Sequence, residues 1–459
     1  MAQTKLLERK ENKMGTLPVW KLIVTLSLPM VASMIIQALY NVVDSLFVAS
    51  ISPEQLEFNA VSLSFAAQNF IIAVATGTGV GINALLSKSL GEKDHEKAQK
   101  IANNGVFLAL CSYILFLVLG FTLIEPYMRI MTDNPEVIEF GKQYLFICYV
   151  GSFGVFGQIV MERLMISTGK TYLSMITQAT GAIINIIFDP IFIFGLGLGV
   201  RGAALATVLG QIIGFIVGII LHVKFNREVK ISVKGFRPDR NLIGRIYAIG
   251  IPSIVMASIG SVMNVIFNNI LYSFGAPIGV YAQNAFGAYF KLQSFVLMPI
   301  FGLNNGLVPL IAFNYGAQKR KRMTTAMLIG GAAAVVYMFI GLAVFEIFPE
   351  PLVRMFIENE AAVSIAVQTM RIAALSFVFA GICIVMGSVF QALGKSIFSM
   401  FTSIARQLVV LIPVAYLLAR TGDVNLVWWA FPIAEVMSLL MSVIFLFVVY
   451  RRVISKIPE

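Results

Sequence analysis

Two carboxylates stand inside stretches otherwise too apolar to carry a charge: Asp44 in LSLPMVASMIIQALYNVVDSLF and Asp189 in NIIFDP. An ionised side chain at the centre of a membrane costs at least ~2.5 kcal/mol unless it is paired or hydrated, so each marks a candidate site. Gln37, Asn41 and Asp44 fall at i, i+4 and i+7 on one helical face, with Ser33 extending it inward. Gln178, Asn185 and Asp189 repeat the device at i, i+7 and i+11, and Asn185 and Asp189 are one turn apart, so their oxygens can converge. The next span adds Thr207 and Gln211 at i and i+4. Two carboxylates, an amide and a hydroxyl form a hard-oxygen set suited to Na⁺ or to a shared proton. The blander role, polar groups tying helices together, fits Gln37, Asn41 and Gln178 better than the acids, because an unpaired acid is poor glue.

The elements that position these groups are helices in a membrane. Of 459 residues, 58% are hydrophobic and 12% charged, with mean hydropathy +0.86. The apolar runs are long rather than alternating, which argues for helices over a β-barrel. Twelve spans are expected, near 20–50, 58–86, 99–124, 137–161, 172–195, 202–223, 246–274, 279–310, 323–347, 361–391, 397–419 and 427–450. Alternate loops divide sharply in charge. One set holds Lys5, Arg9, Lys10, Lys88, Lys93, Arg163, Lys170, Lys234, Arg322, Lys395 and many more, while the other holds Arg129, Arg201, Arg354 and Arg420 beside acids such as Glu54 and Glu358. The positive-inside rule then places both termini in the cytoplasm of a multi-pass protein of the cell membrane. The N-terminal segment is too polar for a signal peptide. The net charge of +11 is explained by these loops, and no nucleic acid is expected as a partner.

The chain also repeats itself. Pro29 matches Pro252 and Asn41 matches Asn264 at an offset of 223; further on, Gly91 matches Gly316 and Gly169–Lys170 recurs as Gly394–Lys395, both at an offset of 225. Six spans per repeat, an even number, relate the halves by an axis along the membrane normal. The fold class is therefore all-α and polytopic: two pseudo-symmetric six-helix bundles, 1–223 and 246–459, joined by a basic linker at 224–245. The second half differs in kind. Phe267 stands at the equivalent of Asp44, among Ser261, Asn264 and Asn268, and the following spans carry Gln283, Asn284, Lys291, Arg371, Arg406 and Glu435. Lys291 reads as an internal cation or a group reaching an aqueous cleft. Arg371 and Glu435 read as a cross-helix pair. Pro29 and Pro190 are expected to bend their helices; Pro190 disturbs the carbonyl of Ile186.

Several other chemistries are excluded. The glycines of TGTGVG (Gly77, Gly79, Gly81) follow no strand and read as close helix packing, not a phosphate loop. Cys111, Cys148 and Cys383 read as small packing residues, and His95 and His222 as isolated, so no metal site is expected. No nucleophile–His–acid set or Walker loop is present, which leaves a membrane-embedded enzyme without support.

Taken together, the parallel repeat, Asp44, NIIFDP (185–190), GVRGAALAT (199–207) and GLNNGLVPLIAFNYGAQ (302–318) closely resemble the MATE (multidrug and toxic compound extrusion) family, and within it the MepA-type bacterial branch. The resemblance implies an antiporter that exports lipophilic organic cations in exchange for H⁺ or Na⁺ by rocking its bundles. It implies a cation site at Asp44, Asn185, Asp189 and Thr207, with Gln37 and Asn41 beside it. Acids on helices seven and eight of some relatives have no counterpart here. The expected mechanism is competition, in which ionised Asp44 and Asp189 hold the drug until H⁺ or Na⁺ displaces it. Gln178, Gln211, Asn264, Asn268, Gln283 and Lys291 are expected in or near the substrate cleft. The expected partners are small organic cations and the bilayer; the protein is expected to act as a monomer, with no cofactor beyond the coupling ion. A lipid-linked oligosaccharide flippase of related fold is the alternative.

Overall fold

The computed structural model describes residues 12–51, 56–232 and 236–458, so Lys5, Arg9, Lys10, Glu54 and Lys234 lie outside the described residues. The first half runs α1 (Lys13–Thr16), α2 (Val19–Ala49), α3 (Leu56–Gly91), α4 (His95–Thr122), α5 (Ile124–Met131), α6 (Pro135–Val150), α7 (Phe153–Ser167), α8 (Thr171–Pro190) and α9 (Val200–Phe225). The second runs α10 (Arg240–Tyr272), α11 (Ile278–Gly316), α12 (Arg320–Ile347), α13 (Pro349–Arg354), α14 (Glu360–Ala374), α15 (Phe377–Ala392), α16 (Ser396–Ile404), α17 (Ile412–Ala419), α18 (Val424–Val427) and α19 (Ala430–Arg452). Ten helical stretches among the described residues are long and apolar enough to cross a membrane, and two bent pairs bring the number to twelve.

The repeat read in the sequence is also geometric. The bent pairs α6–α7 and α14–α15 occupy matching places and turn by 45° and 46°. Gly169 and Gly394, at φ +80° and +71°, end matching helices in the left-handed region that glycine tolerates. Lys93 and Gln318, also partners in the repeat, are the two non-glycine residues with positive φ among the described residues, at 58° and 56°.

The halves meet pairwise, α2 against α11 and α3 against both α10 and α11. Glycine makes this approach possible, as the sequence pattern anticipates. A Cβ on Gly77 would lie 2.9 Å from the Gly250 carbonyl, and one on Gly250 would lie 2.9 Å from that of Gly77. Toward the end that carries the termini and the basic loops, a Cβ on Gly91 would collide with the Phe313 carbonyl, and one on Gly316 with the carbonyl of Lys88. At this basic end α1 joins both halves. Asn12 donates to Thr168 O and to Glu228 Oε2 on one side. On the other, Lys319 Nζ donates to Gly15 O at 2.9 Å, and Arg322 Nη2 to Leu17 O at 2.6 Å and Met14 O at 3.1 Å.

Helix α2 passes through Pro29 without a break, whereas at Pro190 the α-helix gives way to a π-helical turn, Ile191–Gly195. The expected linker is shorter than 224–245, because α9 continues to Phe225 and α10 starts at Arg240. Cys111 is exposed rather than packed. His222 is not isolated, since its Nδ1 lies 3.2 Å from Asn226 Nδ2.

Candidate functional site

Helix α8 brings Asn185 and Asp189 to one face, one turn apart, and α9 presents Thr207 against them. Asp189 is fully buried, and Asn185 and Thr207 are buried beside it. With its nitrogen toward the acid, the Asn185 amide donates to Asp189 Oδ2 at 3.1 Å; its oxygen accepts from Thr207 Oγ1 at 3.3 Å and from the Thr207 N–H at 3.2 Å. From α2, the Asp44 carboxyl comes within hydrogen-bonding reach of that of Asp189. Asp44 Oδ1 is buried with no protein partner. Three helices of one half thus converge four oxygen-bearing groups, two of them acids, on one point. Two like charges this close repel strongly in a low-dielectric interior, and one small cation relieves them.

Beside this cluster a cavity of about 560 Å³ lies between the halves. Asn185, Thr207, Gln37 and Gln211 line it, but neither Asp44 nor Asp189 does. Competition by direct contact of a drug with both acids is therefore not the geometry of this state: their neighbours, not the acids themselves, face the cavity.

Other expected cleft residues lie elsewhere. Asn41 is exposed and outside the cavity lining, although it shares a helix with Gln37. Asn268 Nδ2 donates to Asn264 O at 3.0 Å and Oδ1 at 3.2 Å, and Gln283 Nε2 donates to Asn268 O at 3.2 Å. These three join α10 to α11 rather than line the cleft. Lys291 is exposed, its ammonium 5.6 Å from the Phe356 ring centroid. The partner of Glu435 is not Arg371, which is exposed, but Arg406, whose Nη1 reaches Glu435 Oε1 at 2.6 Å. Gln178, by contrast, does line the cavity as expected, with its amide donating to Glu162 Oε2 at 2.9 Å.

Glu162 and Arg163 are the functional candidates that sequence reasoning missed. Both line the cavity and are buried, at 2% and 7% exposure. Arg163 belongs to no loop: α7 continues past the bend as far as Ser167, and the guanidinium reaches across to Asn305 Oδ1 of the other half at 3.0 Å. A signal was present in the glycine run, because Gly79 makes room for Arg163: a Cβ there would lie 2.8 Å from Arg163 Cγ. Cys383 also lines the cavity and accepts from Ser438 Oγ at 3.5 Å.

Comparison with known proteins gives this geometry a context. The MatE family model matches residues 29–191 and 252–417, once in each half. The multidrug export protein MepA of Staphylococcus haemolyticus is 27% identical over 432 residues, 94% of this chain and 93% of its own. A structure described as the outward-facing conformation of a multidrug resistance MATE family transporter of the MOP superfamily superposes with a TM-score of 0.90 at 26% identity, over 98% of both chains. A MATE structure in the straight conformation also gives 0.90, at 26% identity over 98% of this chain and 99% of the other.

Proposed function

The chain belongs to the MatE family, and on that premise we propose that it exports lipophilic organic cations across the cell membrane in exchange for H⁺ or Na⁺. Both termini face the cytoplasm, following the excess of Lys and Arg in the loops at that end. The observation that carries the reading is the convergence of Asp44, Asn185, Asp189 and Thr207 beside a cavity between two repeated bundles. The quartet is the coupling site: the acids hold one H⁺ or Na⁺, Asn185 fixes Asp189 to Thr207, and the hydroxyl supplies a further oxygen. In the present state the halves are joined at the basic end by α1 and by the paired glycines, which corresponds to the outward-facing half of the cycle.

Export then follows from differential affinity. The coupling ion must bind the outward- and inward-facing states unequally, and so must the drug; tight binding alone drives nothing. Charge relief at Asp44 and Asp189 gives the ion such a preference wherever the two carboxyls are held together.

Ethidium retention in cells lacking their own pumps tests the reading. Cells making this protein should clear the dye faster than cells making Asp189→Asn at a matched membrane level. Equal retention in both would contradict it.

A further inference from the structure

If the coupling acids lie off the cavity wall, the charge of a bound drug needs another partner. Among the described residues that line the cavity, Glu162 is the one acid. Its Oε1 accepts from Gln158 Nε2 at 2.9 Å and its Oε2 from Gln178 Nε2 at 2.9 Å. Both contacts come from amides, so the carboxyl is held in place but not neutralised. The two cations on the same walls are directed elsewhere: Arg163 donates to Asn305, and Arg406 pairs with Glu435. The Arg163 guanidinium, next in sequence, acts on Glu162 from a distance without a direct ion pair; a buried carboxylate so incompletely compensated is costly, and a cation in the cavity offsets that cost.

The surroundings define the ligand. Tyr40, Phe301 and Phe390 offer aromatic surface, and Met34 and Met256 offer adaptable apolar surface, on the same cavity. Ser33, fully buried on that wall, has a hydroxyl with no protein partner. Gln178 likewise keeps a buried, unpartnered Oε1. A flat, apolar monocation with one polar substituent matches this set.

We infer that Glu162 receives the positive charge of the substrate, while Asp44 and Asp189 hold only the coupling ion. The inference rests on the proposed export function and assigns its two charges to two places. It also names the element that connects them. Gln178, which holds Glu162, and Asn185 and Asp189, which form the ion site, all project from α8. A displacement of α8 when the ion binds carries the Gln178 amide with it and alters the grip on Glu162. Coupling then runs along a single rigid helix rather than through competition for one carboxylate.

Ethidium binding to purified protein, without any gradient, separates the roles. Glu162→Gln should weaken binding about tenfold or more, the equivalent of losing one charge contact, whereas Asp189→Asn should bind within about threefold of wild type. Glu162→Asp, which keeps the charge, should recover part of the loss. Wild-type affinity in Glu162→Gln together with lost binding in Asp189→Asn would overturn the inference and place the drug on the coupling acids. Should Glu162→Gln fail to fold, carbodiimide labelling of the wild type decides: ethidium should protect Glu162 and leave Asp44 and Asp189 labelled as before, and the reverse pattern overturns the assignment. Wild-type protein that binds no ethidium would instead count against the export function itself.

Discussion

Thr171 Oγ1 donates at 3.4 Å to the carbonyl of Thr25, the group that Pro29, having no N–H, leaves without its helical partner. The weak point of α2 is therefore capped from the start of α8, the helix that also carries Asn185 and Asp189. A side chain substitutes for a backbone donor, and α2 continues unbroken through its proline.

Pro29→Ala restores the N–H and makes the Thr171 contact redundant. The variant should gain stability, up to ~3 kcal/mol, read as a higher unfolding temperature in detergent, and should clear dye more slowly because α2 has lost its soft point. Unchanged stability with unchanged efflux would make Pro29 a passive residue.

Removing a coupling acid should separate fold from function. Asp44→Asn and Asp189→Asn should each reach the membrane at wild-type levels and unfold at similar temperatures, yet lose gradient-driven efflux. Thr207→Val, which removes one ligand oxygen but no charge, should retain a fraction of the activity. Full drug resistance from either Asp variant would remove the quartet from the mechanism.

Arg406 and Glu435 pair at 2.6 Å with little solvent around them, their side chains 28% and 12% exposed. Breaking such a pair from one side strands a charge, so Glu435→Gln or Arg406→Met alone should destabilise toward the lower end of about 3–5 kcal/mol. The double change Arg406→Met with Glu435→Met should recover most of that loss. If the double variant is as unstable as the singles, the pair is not what holds α19 in place.

At the basic end, Arg322 ties the second half to the carbonyls of Met14 and Leu17. Arg322→Ala should loosen this closure by about 1.5–3 kcal/mol and broaden the distances between spin labels placed on the basic ends of α3 and α11. An unchanged distance distribution would show that the paired glycines alone keep this end shut.

Much of this organisation was readable in the residues themselves. The repeat of Gly91 in Gly316 and of Gly169 in Gly394 foretold matched helix ends, and the one-turn spacing of Asn185 and Asp189 foretold their contact. Helix faces were harder to read. In a membrane both the lipid side and the packed side are apolar, so hydropathy does not say that Asn41 and Lys291 point away from the cavity. Charges near the end of a span are ambiguous for a related reason. Arg163 resembles a loop residue when the span is taken to stop at 161, and becomes a cavity residue once α7 is seen to continue past its bend. Glu435 needed three dimensions, because Arg406 and Arg371 are both reachable partners by sequence and only packing selects between them.

The most direct test is ethidium efflux from proteoliposomes under an imposed pH gradient and, separately, an imposed Na⁺ gradient, with wild type beside Asp189→Asn. Wild-type protein should move dye under at least one gradient, and Asp189→Asn under neither, while still binding dye at equilibrium. Equal driven efflux by both proteins, or none by folded wild type under either gradient, would contradict an ion-coupled exporter with its coupling site at Asp44 and Asp189.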